Sequence, residues 1–120
     1  MRHRVNTGIS REIKKQCEDK GKLDALQARY RMIIALRDPL DAALLLKRFP
    51  GDVPLVAELL ADRNENVQLY SAKVLKIAGR IGVKTEPAAP FMHSALKRLN
   101  GENEELKKEI TEAIKATNPN

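Results

Sequence analysis

Catalysis needs side chains that can attack, take a proton or hold a metal, and this chain offers few at workable spacing. It has two histidines, His3 and His93, and one cysteine, Cys17. Neither histidine has a cysteine or carboxylate at ligand spacing. His93 and Lys97 are one helical turn apart and read as a polar face rather than a proton relay. Cys17 has Lys14 and Lys20 nearby, which would favour a thiolate. Beside Ile13 on a helix, however, it reads as a packing residue. No glycine-rich loop runs into Lys-Ser or Lys-Thr. Gly79-Arg80-Ile81-Gly82 is too short for a dinucleotide fingerprint and follows no strand-like segment. The expectation is therefore no catalytic residues, no cofactor and no metal.

The sharper feature is a set of cations. At 100° per residue, Lys73, Lys76, Arg80 and Lys84 fall within an arc of roughly 80°. Val67, Tyr70, Val74, Leu75, Ala78 and Ile81 fill a wider arc beside them. A regular helix through these positions carries a positive ridge, suited to an acidic protein surface or to a phosphate backbone. The plainer reading is a solvated face. Gly79 is a point where the helix can end before Lys84. The formal net charge is +6. Residues 1–48 contribute +6, residues 49–99 contribute +2 and residues 100–120 contribute −2. Only four aromatic residues occur, Tyr30, Tyr70, Phe49 and Phe91, so stacking platforms for bases or sugars are mostly excluded.

Helices must position these groups. The 120 residues suit one domain, with residues 1–8 and 118–120 expected to be flexible. Alternating β-branched runs are missing, and Ala and Leu outnumber Val and Ile two to one. Ser10 can cap a first helix of about residues 10–20, with Ile9, Ile13 and Cys17 on one side and Gly21 at its end. A second helix from about Lys22 to Arg37 carries Leu23, Leu26, Tyr30, Ile33 and Ile34. Pro39 starts a third, which Pro50-Gly51 ends. Asp52 caps a fourth, with Leu55, Val56, Leu59 and Leu60. Asn64 caps a fifth, which reaches about Arg80. Val83 to Pro90 reads as a loop. A sixth uses Phe91, Met92, Ala95, Leu96 and Leu99 and breaks at Asn100-Gly101. The seventh uses Leu106, Ile110, Ala113 and Ile114, and the tail from Thr117 is expected to fray.

Short connections make helices two and three, four and five, and six and seven antiparallel pairs, beginning 31 and 34 residues apart. A hairpin cannot cover its own apolar face, and stacking supplies the cover. The fold class expected is all-α: a short right-handed stack of about three hairpins, solenoid-like, with the first of about seven helices as an N-terminal cap.

The middle pair resembles a HEAT or armadillo-type repeat, best over residues 53–82. Val53-Pro54-Leu55, Leu59-Leu60, Asp62, Val67, Ala72, Leu75 and Ile77 carry the resemblance. It implies that Pro54 opens the first helix, that Asp62 ties the inter-helix turn, and that the second helix lines a concave surface. The ridge Lys73, Lys76, Arg80, Lys84 would then face a partner. The chain departs from the family at Gln68, where a basic residue is common, and in its shorter period. The function this implies is a non-enzymatic module that binds a protein or other anionic partner.

An alternative is DNA or RNA binding, by the ridge or by a helix-turn-helix at about residues 53–72. Ala57, Ala61 and Val67 occupy its small, turn and apolar positions, and Asn66 and Gln68 could pair with adenine edges. Ala61 stands where glycine usually opens such a turn, and Glu65 would meet phosphates. A lone cysteine demands no oxidising compartment. Residues 1–15 lack a secretory apolar core, and no apolar run is longer than Ala42 to Leu46, which is far too short to span a membrane. A cytoplasmic protein without membrane contact is expected.

Overall fold

The computed structural model describes residues 20–117, and every regular element among them is helical. Helix α1 occupies residues 20–35, α2 Pro39–Arg48, α3 Val53–Glu58, α4 Glu65–Arg80, α5 Ala89–Leu99 and α6 Glu104–Thr117. Short 3-10 turns at Pro50–Asp52, Leu59–Ala61 and Glu86–Ala88 join or extend them. Six α-helices thus stand among the described residues. The capping helix expected at about residues 10–20 lies outside them, apart from residue 20. Gly21 does not end a helix, because residues 20–35 are continuous.

The boundaries follow local chemistry. Helix α1 stops where Arg37 turns left-handed (φ 60°), two residues before Pro39. The amides of Arg37 and Asp38 return to the carbonyls of Ile34 and Ile33, which satisfies the helix end. Asp38 caps α2 through the amide of Asp41. Asp52 stands before α3 but does not cap it with its side chain. Its carboxylate instead accepts the Tyr30 hydroxyl at 2.8 Å. Asn64 caps α4 as expected, accepting the amides of Asn66 and Val67.

Helix α4 ends in a left-handed Gly82 (φ 97°), with Gly82 N–H on Gly79 O and Val83 N–H on Ala78 O. That motif also pins Val83 into the core. Lys84 therefore leaves the helix. The segment expected as a loop from Val83 to Pro90 already holds a 3-10 turn, and α5 begins at Ala89. Thr117 does not fray. It is 6% exposed, bonds Ala113 O, and shares a 2.7 Å hydroxyl contact with Thr85.

Helix α4 is the centre of the packing. It lies against α6 most extensively and against α2 on its other side. This explains its wide buried stripe: Val67, Ser71, Ala72, Val74, Leu75 and Ala78. Ser71 is buried without penalty because its hydroxyl donates to Val67 O. Leu46, Val56, Leu60, Met92, Leu106 and Ile110 complete an aliphatic core. At Gly79 the two helices cross so closely that an added Cβ would stand 2.8 Å from Ala116 Cβ and 3.0 Å from its carbonyl oxygen.

Polar ties cross between neighbouring pairs. Arg31 on α1 forks onto both oxygens of Asp62 at 2.9 and 3.2 Å. Gln27 donates to Leu55 O and to Glu58. Arg98 on α5 donates to Leu60 O at 3.0 Å, satisfying a carbonyl at the end of the α3 segment.

A candidate anion-binding face on helices α4 and α6

The four cations expected to form one ridge meet different fates. Lys73 lies half-buried on α4 with its ammonium 4.8 Å from the centre of the Tyr70 ring, a cation–π contact that holds the side chain along the helix. Arg80 is exposed at the end of α4. Lys84 is exposed but follows the Gly82 turn, so it is not continuous with the helix. Lys76 is withdrawn. Its ammonium reaches Glu109 at 2.5 Å and Glu112 at 3.3 Å on α6, and its side chain is only 15% exposed.

The electrostatics of this pairing run in both directions. Burial opposes the Lys76 charge, but hydrogen bonds to Glu109 and Glu112 outweigh it and hold the ammonium above the usual lysine range. The Glu112 carboxyl is held below its usual range, first by the Lys76 hydrogen bond and further by the charges of Lys76, Lys108 and Arg80. Lys76 thus works as a bracket between α4 and α6 and offers no free charge to a partner.

That bracket exposes a different cluster. Glu112 stands among Arg80, Lys108 and Lys115, and a shallow hollow of about 210 Å³ is lined by Arg80, Glu112, Lys115 and Ala116. An adjoining hollow of about 340 Å³ along α6 adds Glu104, Lys107, Lys108 and Thr111. The cations thus group around Arg80, Lys108 and Lys115, with Lys73 two turns earlier on the same side of α4. Sequence reasoning missed the three α6 lysines because their segment is net −2. Two of its carboxylates, however, are engaged by Lys76. The available signal was spacing: Lys107, Thr111 and Lys115 recur every four residues, as helix neighbours do.

The remaining positions fall elsewhere. His93 is exposed on α5. Cys17 and His3 lie outside the described residues. No group of three or more His, Cys, Asp or Glu among the described residues could hold a metal ion. No helix among them is long and apolar enough to cross a membrane. Gln68 is tied to Asp62 O. Asp62, where the HEAT-type resemblance places a turn-tying residue, accepts the Asn64 amide at 2.9 Å as well as the Arg31 fork. Burial opposes the charge of Asp62, but the Arg31 hydrogen bond outweighs it and holds the carboxyl below its usual range. Comparison with family models, with curated proteins and with solved structures finds no match to this chain.

Proposed function

We propose that this chain is a HEAT-like stack of three antiparallel helical hairpins that performs no reaction and binds an acidic protein segment through the α4–α6 face. The packing order supports the stack. Helices α2, α4 and α6 are successive neighbours, as second helices are in stacked repeats, while α1, α3 and α5 make the contacts on the other side. The observation that carries the function is the cluster of Arg80, Lys108 and Lys115 around Glu112, with Lys73 on the same side of α4 as Arg80 and with Lys76 offsetting one of the two negative charges of Glu109 and Glu112.

A protein partner suits this face better than a nucleic acid. Glu104 and Glu112 interrupt the cations on α6, which a continuous phosphate backbone would meet as repulsion. The helix-turn-helix alternative is weaker for two reasons. Helix α4 is packed on two sides by α2 and α6, and the Gln68 amide is already engaged by Asp62 O.

Fluorescence anisotropy with a labelled glutamate-rich peptide and with a labelled DNA duplex, each at rising salt, tests the reading. The peptide is expected to bind at low salt and to weaken about ten-fold or more in a Lys73→Glu/Arg80→Glu/Lys115→Glu variant, from roughly 0.5 kcal/mol per surface contact. Tighter binding to the duplex, with a log–log salt slope steeper than about −3, would replace it with the nucleic-acid reading.

A further inference from the structure

A hollow with a mainly apolar lining lies away from the charged face, in the first hairpin. Leu26, Arg29 and Tyr30 of α1, Leu45 of α2, Phe49 and Asp52 surround a hollow of about 220 Å³. Tyr30 is 1% exposed and forms the floor. Its hydroxyl is engaged by Asp52, so the floor presents a ring with no unsatisfied polar group. Leu26 and Leu45 are half-buried, while Phe49 is 48% exposed at the edge. An enclosed, wholly apolar cavity of about 150 Å³ holds a benzene ring, which sets the scale of volume such a group needs. This one has room for a phenylalanine or leucine side chain.

Its rim is cationic. Arg29 lines the hollow, and the Arg48 guanidinium lies 5.5 Å from the centre of the Phe49 ring. Among the described residues neither arginine has a carboxylate within ion-pair distance. An apolar hollow with Arg29 in its wall and Arg48 over the Phe49 ring at its edge, against the single carboxylate of Asp52 that already accepts the Tyr30 hydroxyl, favours an apolar side chain with carboxylates beside it. Arginine and aromatic residues around a central pocket are also the groups that dominate protein–protein binding energy. A nucleotide fits poorly, because the floor has no free hydrogen-bonding group to read a base.

We propose that this hollow is a docking pocket for a single aromatic or branched aliphatic side chain on an acidic segment of a partner protein. It is a second contact site, separate from the α4–α6 face. The probe is a short peptide of glutamates around one central phenylalanine, titrated into isotope-labelled protein and followed by two-dimensional NMR. Saturable shifts are expected at Leu26, Leu45 and Phe49. They should be lost when the peptide phenylalanine becomes alanine or its glutamates become lysines. Arg29→Glu, at an exposed position that leaves the core intact, and Phe49→Ala should each weaken this binding about ten-fold, whereas Lys73→Glu/Arg80→Glu should not. Absence of shifts at the pocket up to millimolar peptide would overturn the proposal. So would equal binding of the lysine-flanked peptide, or shifts confined to α4 and α6.

Discussion

Replacing Gly79 by alanine sets two known effects against each other. In an unobstructed helix interior, alanine is favoured over glycine by about 1 kcal/mol. At Gly79 the new methyl would lie 2.8 Å from Ala116 Cβ and 3.0 Å from the Ala116 carbonyl oxygen, which belongs to helical backbone and cannot swing aside. Carbon contacts settle at about 3.5–4.0 Å, so α6 must retreat by roughly 0.7 Å, forfeiting a quarter or more of the dispersion energy along the contact. Overpacking of this kind costs about 1–3 kcal/mol. The net expectation is a loss of about 1 kcal/mol, or roughly 4 °C in Tm for a domain of this size. Gly21, helical in α1 with nothing within 4 Å of an added Cβ, is the unobstructed control, and Gly21→Ala should raise Tm. Thermal unfolding by circular dichroism reads both. A Gly79→Ala protein as stabilised as Gly21→Ala would refute the close α4–α6 crossing.

Lys76→Glu would place a third carboxylate beside Glu109 and Glu112 and should unfold the protein or lower its Tm by more than about 5 °C, whereas Lys73→Glu/Arg80→Glu should change it little. In acid, the Asp62 carboxyl keeps a folded pKa below its unfolded value near 3.8, so its stabilisation is complete above about pH 4 and lost as pH falls further; an Asp62→Asn protein should show a flatter stability profile between pH 4 and 2. In base the sign reverses. Burial, reinforced by the Asp52 hydrogen bond, raises the Tyr30 pKa, so its contribution is complete below about pH 10 and lost above it. Tyr30 should then show no tyrosinate absorbance at pH 10–11 until the protein unfolds, with the Tyr30→Phe protein as the spectral reference.

Local signals in the sequence located most helix ends. Pro39, Asn64, Pro50-Gly51 and Asn100-Gly101 act within a few residues, through fixed φ, side-chain caps or left-handed turns, so their effect can be read without tertiary structure. Gly21 misled because an isolated glycine weakens a helix without stopping it. Thr117 misled because a distant hydroxyl, that of Thr85, holds it. The ridge was legible as a helical face, but helical phase says nothing of what packs opposite. Lys76 meets Glu109 and Glu112 across 33 and 36 residues, a pairing that only the α4–α6 crossing creates. The same crossing brings Lys108 and Lys115 beside Arg80.

Charge exchange on that face probes the proposed binding most directly. A Lys73→Glu/Arg80→Glu/Lys115→Glu protein with unchanged Tm should lose affinity for a labelled glutamate-rich peptide and gain affinity for a lysine-rich one at low salt. If the glutamate-rich peptide binds both proteins equally, or neither, these helices do not form an anion-recognition surface.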